Sequence, residues 1–168
     1  MRSTISKTLF KAQRTIFSPA QETSTAPGLA LYTAAEFAKL GLSWDTYFER
    51  AAAAADRKLA SLQPEWIKDD AGKVLYAVYR GEQPIYATLL LAPSLTKVFE
   101  KTFGGEIWVA APDRNSLYVF PANAELVGDF AGDLEERFES NPYGASEEIF
   151  AFKLGESEPR VVGTFTSR

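Results

Sequence analysis

Histidine and cysteine are both missing from the 168 residues of this chain, and methionine occurs once. Without imidazole there is no Ser–His–Asp triad, no histidine metal ligand and no side chain that ordinarily changes charge near neutral pH. Without thiol there is no disulfide scaffold, no thiolate nucleophile and no cysteine–zinc site. No run of about 18 apolar residues is present, which excludes a transmembrane helix at the level of sequence. Basic residues are outnumbered: 18 Lys and Arg stand against 22 Asp and Glu, a net charge of −4 with no basic stripe. Phosphate backbones repel such a surface, so nucleic acid is not the expected partner. Catalysis by carboxylates or by a Ser–Lys pair stays open, but no motif marks its residues. Cytoplasmic residence is the default reading for a chain without cysteine.

Aromatic side chains, by contrast, are plentiful at 13%. With 46% hydrophobic and 24% charged residues, the composition is that of a folded globular chain long enough to bury one substantial core. Charge is unevenly placed. Residues 1–28 hold Arg2, Lys7, Lys11 and Arg14 against the single acid Glu22, a net charge of +3 that leaves −7 for the rest. This stretch is rich in Ser and Thr and closes on Ser24-Thr25-Ala26-Pro27-Gly28, a breaker cluster. Within it Ile5, Leu9, Ala12 and Ile16 recur at helical spacing. The composition also fits an organelle transit peptide. The favoured reading is an amino-terminal arm that packs Leu9, Phe10, Ile16 and Phe17 onto its own domain or a neighbouring copy, followed by one domain over residues 29–168.

Along that domain, Leu29–Tyr32 reads as an opening strand. Thr33 with Glu36 forms a capping box for a short helix ending at Gly41, and Ser43 caps a long helix that Pro64 ends. After the Asp69-Asp70-Ala71-Gly72 turn the period changes to two, and Val74–Tyr79 and Ile85–Leu91 are expected to pair as a hairpin. A helix over Leu95–Phe103 stops at Gly104-Gly105. Ile107–Ala111 and Leu117–Phe120 flank Pro112-Asp113-Arg114-Asn115 as a second hairpin. Asn123 then caps a helix from Ala124 to about Phe138, whose Gly128 and Gly132 are read as sites of close packing on the sheet. Ile149–Leu154 and Arg160–Phe165 form the last pair. The two hairpin–helix units begin 33 residues apart, at Val74 and Ile107, which reads as an internal duplication. The fold class is α+β: a mostly antiparallel sheet of hairpins with helices packed on it.

The stretch Gly105 to Phe120, with Pro112-Asp113-Arg114-Asn115 between two strands and Val119-Phe120 at its end, resembles the YtpQ-like family of bacterial proteins. The likeness runs from about Leu89 to Phe152 and includes Asn141-Pro142-Tyr143 and Ile149-Phe150-Ala151-Phe152. Upstream, Phe37-Ala38-Lys39-Leu40-Gly41-Leu42-Ser43 is similar to that family's helical entry. The resemblance implies a shared fold unit and carries no catalytic residue with it.

Each polar cluster has a plainer reading beside a functional one. Asp113 with Arg114 could clamp an anion or act as a base, but Pro-Asp-Arg-Asn is turn chemistry first. Glu135, Glu136, Glu139, Glu147 and Glu148 form an acidic patch without the spacing of a calcium loop, and read as a solvated helix end. Gly104-Gly105 precedes a strand, so it cannot cradle a phosphate at a helix start. Tyr79 and Tyr118 lie beside turns, where exposed rings would mark a partner. The expectation is a non-enzymatic module that binds another protein, with Arg80, Arg114, Tyr79 and Tyr118 as contact residues. A basic partner suits the acidic body, as for an inhibitor, immunity protein or adaptor. No cofactor and no metal are expected. The alternatives are a hydrolase built on carboxylates and Arg, or a subunit of a larger assembly, such as a homo-oligomer held through residues 1–28.

Overall fold

The computed structural model describes residues 5–25, 28–142, 144–156 and 158–167. Among these residues, eight strands and four α-helices follow one another. A ribbon of β1 (Ala20–Glu22) and β2 (Leu29–Leu31) comes first, then α1 (Ala34–Lys39), α2 (Trp44–Ser61), β3 (Glu65–Lys68) and β4 (Val74–Arg80). A 3-10 helix (Tyr86–Leu91), α3 (Leu95–Phe103), β5 (Glu106–Ala110), β6 (Ser116–Pro121), α4 (Ala124–Ser140), β7 (Glu148–Lys153) and β8 (Arg160–Thr164) complete the chain.

The helices begin where short polar side chains satisfy their first free N–H groups. The Thr33 hydroxyl accepts from Glu36 N at 3.1 Å, with the Glu36 side chain reaching back to complete the capping box on α1. Ser43 accepts from Thr46 N and Asn123 from Leu126 N, both at 3.1 Å, at the starts of α2 and α4. Gly104 ends α3 at φ 86°, a conformation open to glycine at no steric cost.

Strands β3 to β8 form one sheet in the order β3-β4-β6-β5-β7-β8, with every neighbour antiparallel. Period-two alternation sends Ala77, Tyr79, Ile107, Val109, Leu117, Val119 and Phe150 to one face, where Leu59 of α2, Leu89 of the 3-10 helix and Phe99 of α3 cover them. Ala110, Phe120 and Ile149 point to the other face, against Val127 and Leu134 of α4. The protein is thus an α+β fold in three layers, with the sheet in the middle.

Two expectations fail here. Ile85–Leu91 is not a strand: Tyr86–Leu91 is a 3-10 helix packed on α2 with Leu89 and Leu90 both buried. A strand has only two edges, and those of β4 are taken by β6 and by β3, the short run after Pro64. The Asp69–Gly72 turn therefore makes the β3–β4 hairpin, its Asp69 carboxylate accepting from Ala71 N and Lys73 N at 2.9 Å. With the first hairpin formed by β3 and β4 instead, the two hairpin–helix units do not begin at Val74 and Ile107, and the 33-residue spacing has no structural counterpart.

Among its described residues the arm is not helical. Lys7 and Phe17 bridge as in an antiparallel pair, and the loop between them turns at Leu9–Ala12, closed by Ala12 N to Leu9 O at 3.0 Å. Phe10 (φ 59°) and Lys11 (φ 56°) occupy the left-handed region at the centre of that turn, at a cost on the order of 1 kcal/mol each. The Phe10 ring meets Phe17 at 5.6 Å and Phe48 of α2 at 6.0 Å, both edge-on. Ile16, expected inside, is 68% exposed. Polar contacts lock the arm to β7: Glu148, 1% exposed, accepts from Gln13 N at 3.1 Å, Arg14 N at 2.9 Å and the Thr15 hydroxyl at 2.6 Å.

Candidate functional site

The four nominated contact residues do not form one surface. Tyr79 is 2% exposed and lies in the core beside Phe99, so its ring is not available to a partner. Desolvation pushes its hydroxyl pKa up to about 12. Tyr118, one ladder position away across the β4–β6 pair, points to the opposite face, where it is half-buried. The Arg137 guanidinium stands 6.0 Å from the Tyr118 ring centre. Arg80, exposed at the end of β4, is held by Glu65 of β3 through two hydrogen bonds, Nε–Oε1 at 3.1 Å and Nη2–Oε2 at 2.7 Å. That carboxylate raises the Arg80 pKa above its ordinary value. Arg114 is half-buried in the β5–β6 turn, and its carbonyl accepts from Ala87 N at 3.3 Å.

Asp113 is fully buried and fully occupied. Oδ1 accepts from Asn115 N and the Ser116 hydroxyl at 2.9 Å, while Oδ2 accepts from Arg137 Nε at 2.7 Å and Asn141 Nδ2 at 3.1 Å. Four donors converging on one carboxylate leave it no role as a base; it ties the β5–β6 turn to the carboxyl end of α4. Among the described residues, no three of Asp, Glu, His or Cys are placed to hold a metal ion. The one buried side-chain polar atom without a hydrogen-bond partner among them is Trp108 Nε1.

A different surface emerges on α4. Its 17 residues include six acids and the single base Arg137. Glu125, Gly128, Asp129, Gly132, Asp133 and Glu136 are all exposed, and at 100° per residue they fall within about 140° of arc. Val127 and Leu134 point the other way, into the sheet. None of Glu125, Asp129, Asp133 and Glu136 is ion-paired with a described residue. The packing role expected of the two glycines is overturned: a Cβ at Gly128 or Gly132 would meet nothing within 4 Å. They face outward, not toward the sheet.

This outer face is locally unfavourable. Each exposed glycine costs about 1 kcal/mol relative to Ala in a helix interior. Like charges four apart, as in Glu125/Asp129 and Asp129/Asp133, cost a further ~0.2–0.5 kcal/mol per pair. Glu136 and Glu139 sit near the negative end of the helix dipole, again the wrong sign. Among the described residues no ion pair offsets the charges of Glu125, Asp129, Asp133 and Glu136. The sequence signal was present, as glycines and acids at spacings of three and four, but it reads equally as packing until the helix is docked.

Elsewhere, a cavity of about 530 Å³ lies between the arm and β8. None of the described helices is long and apolar enough to cross a membrane. No family model, curated protein or solved structure matches this chain.

Proposed function

We propose that this chain is a non-enzymatic recognition module, of inhibitor or adaptor type, that presents the outer face of α4 to a basic protein. One observation carries the reading: a smooth acidic helix face, with two glycines that nothing in the fold requires. Missing Cβ atoms at Gly128 and Gly132 let a partner's backbone or long basic side chains approach the helix closely. Unpaired carboxylates beside them supply the complementary charge, which steers encounter and fixes register. The stretch that resembles the YtpQ-like family, about residues 89–152, contains all of α4.

The test is affinity capture with the full chain from its native host, with the recovered proteins identified by mass spectrometry. Wild type is compared with Gly128→Ala/Gly132→Ala and with Asp129→Lys/Asp133→Lys. The alanine pair is expected to stabilise folding by about 2 kcal/mol while lowering recovery of a basic partner, since the two effects have separate origins. Charge reversal is expected to abolish recovery, and wild-type recovery should fall as salt rises past roughly 0.15 M. Equal recovery by all three proteins would remove α4 from the interface.

A further inference from the structure

Helix α4 has a second flank beside its acidic face. At 100° per residue, Phe130, Asp133 and Arg137 fall within about 60° of arc. Two of them fix where that flank points. The Phe130 ring meets Tyr76 of β4 edge-on at 4.8 Å, and the Arg137 guanidinium stands 6.0 Å from the Tyr118 ring centre on β6. Asp133, about one turn from each, is held on the same side, where the acidic face borders the two tyrosines. Their rings are 5.9 Å apart and half-buried. Val78, opposite Tyr118 and two residues on from Tyr76, is 1% exposed. Neither tyrosine hydroxyl hydrogen-bonds to a described residue, and Asp133 has no ion pair with one.

The charges around the rings favour a cation once every ion-pair partner is counted. Arg80 is balanced by Glu65 and Arg137 by Asp113, so both are neutralised within the fold. Asp133 is left as an uncompensated negative charge, with Asp129 one turn away on the same exposed face. The Tyr76 hydroxyl pKa is raised by burial first and then by Tyr118, while Arg80 lowers it and Asp133 adds to the rise; these groups lie close enough to feel one another. Aromatic rings beside an unpaired carboxylate suit a guanidinium better than an ammonium. The planar group stacks on rings and pairs with a carboxylate through two parallel hydrogen bonds. Tyr and Arg are also the side chains that most often dominate protein interfaces. Resting on the α4 reading, we propose that Tyr76, Tyr118 and Asp133 anchor that interface by receiving one arginine side chain of the basic partner. Its guanidinium stacks on the tyrosine pair and binds the Asp133 carboxylate.

Hexaarginine and hexalysine are the probes, each titrated into the full chain at low salt and followed by amide NMR shifts. Hexaarginine is expected to bind about tenfold more tightly, with shifts at Tyr76, Tyr118 and Asp133. Tyr76→Leu/Tyr118→Leu and, separately, Asp133→Asn should each bring the two affinities within about twofold. Tyr76→Phe/Tyr118→Phe keeps the rings and should keep the preference. Asp133 is exposed, so its variant tests the site even where the leucine pair fails to fold. Equal binding of the two peptides by wild type, or a preference for hexaarginine that survives Asp133→Asn, would overturn the anchor. Equal binding that Asp129→Lys/Asp133→Lys abolishes would overturn the anchor and leave the α4 interface standing. Binding of neither peptide would remove both.

Discussion

Asp113 shows how one residue can resemble a catalytic group and act as a rivet. Its carboxylate takes four donors from two separate segments, the β5–β6 turn and the carboxyl end of α4, and Arg137 is the only one that carries charge. Asp113→Asn replaces an acceptor by an NH₂ group that must face a donor. We expect a loss of about 2–3 kcal/mol in urea denaturation, the lower end for a broken buried pair because Arg137 is one-third exposed. A loss below about 1 kcal/mol would mean that water takes over the orphaned donors. Tyr79 makes a second residue-scale prediction, in pH. Its hydroxyl pKa is raised to about 12 by desolvation, whereas the unfolded chain titrates near the ordinary 10.0. Stability from this group is therefore complete below pH 10 and is lost as pH rises from about 10 toward 12. Tyr47 and Tyr76 are shifted in the same direction, again chiefly by burial. Denaturation midpoints measured from pH 9 to 11 should fall for wild type and fall less for Tyr79→Phe; identical slopes would exclude Tyr79 as a source.

At the scale of elements, caps and turns act locally and were legible before any coordinates. Thr33, Ser43 and Asn123 start their helices as their side chains dictate, and Gly104 stops one. The 3-10 helix at Tyr86–Leu91 was not legible, because an unbroken apolar run has no period to separate strand from helix. Its fate was decided by β3, which occupies the edge of β4 that a hairpin partner would need. The edge strand β8 carries an extra residue, Val162, opposite Ile149 and Phe150, a common way to discourage pairing with another chain, whereas at the β3 edge the extra residue, Leu75, lies on β4. The stability half of the α4 proposal can be checked alone: Gly128→Ala and Gly132→Ala should each stabilise by about 1 kcal/mol and add without coupling, since nothing lies within 4 Å of either new methyl group.

For the whole molecule, the arm is part of the folded body. Phe10 and Phe17 join the core on the α2 side of the sheet, and Ala12 is itself buried. Glu148 is the latch, receiving two backbone N–H groups and a hydroxyl from residues 13–15. Glu148→Gln leaves the shape but turns one acceptor into a donor that faces a donor. The expected result is a loss of about 2 kcal/mol, with faster hydrogen exchange at Gln13 and Arg14 than at the sheet amides. Uniform acceleration across the sheet would instead show that arm and body open as one unit. The latch was invisible in the sequence because its partners lie 133 to 135 residues apart.

Composition and local pattern determined the α+β class, most strand and helix positions, the helix caps and the exclusion of histidine and thiol chemistry. Each of these follows from side chains acting on their own backbone or from a period of two or three to four residues. Tertiary structure decided which way Tyr79 and Tyr118 face, whether Gly128 and Gly132 meet the sheet, and what Glu148 holds. Those outcomes depend on which elements become neighbours, and neighbours are chosen by competition for strand edges and apolar faces across the whole chain. Local pattern says what each segment can form; packing alone says which surface is left over for a partner.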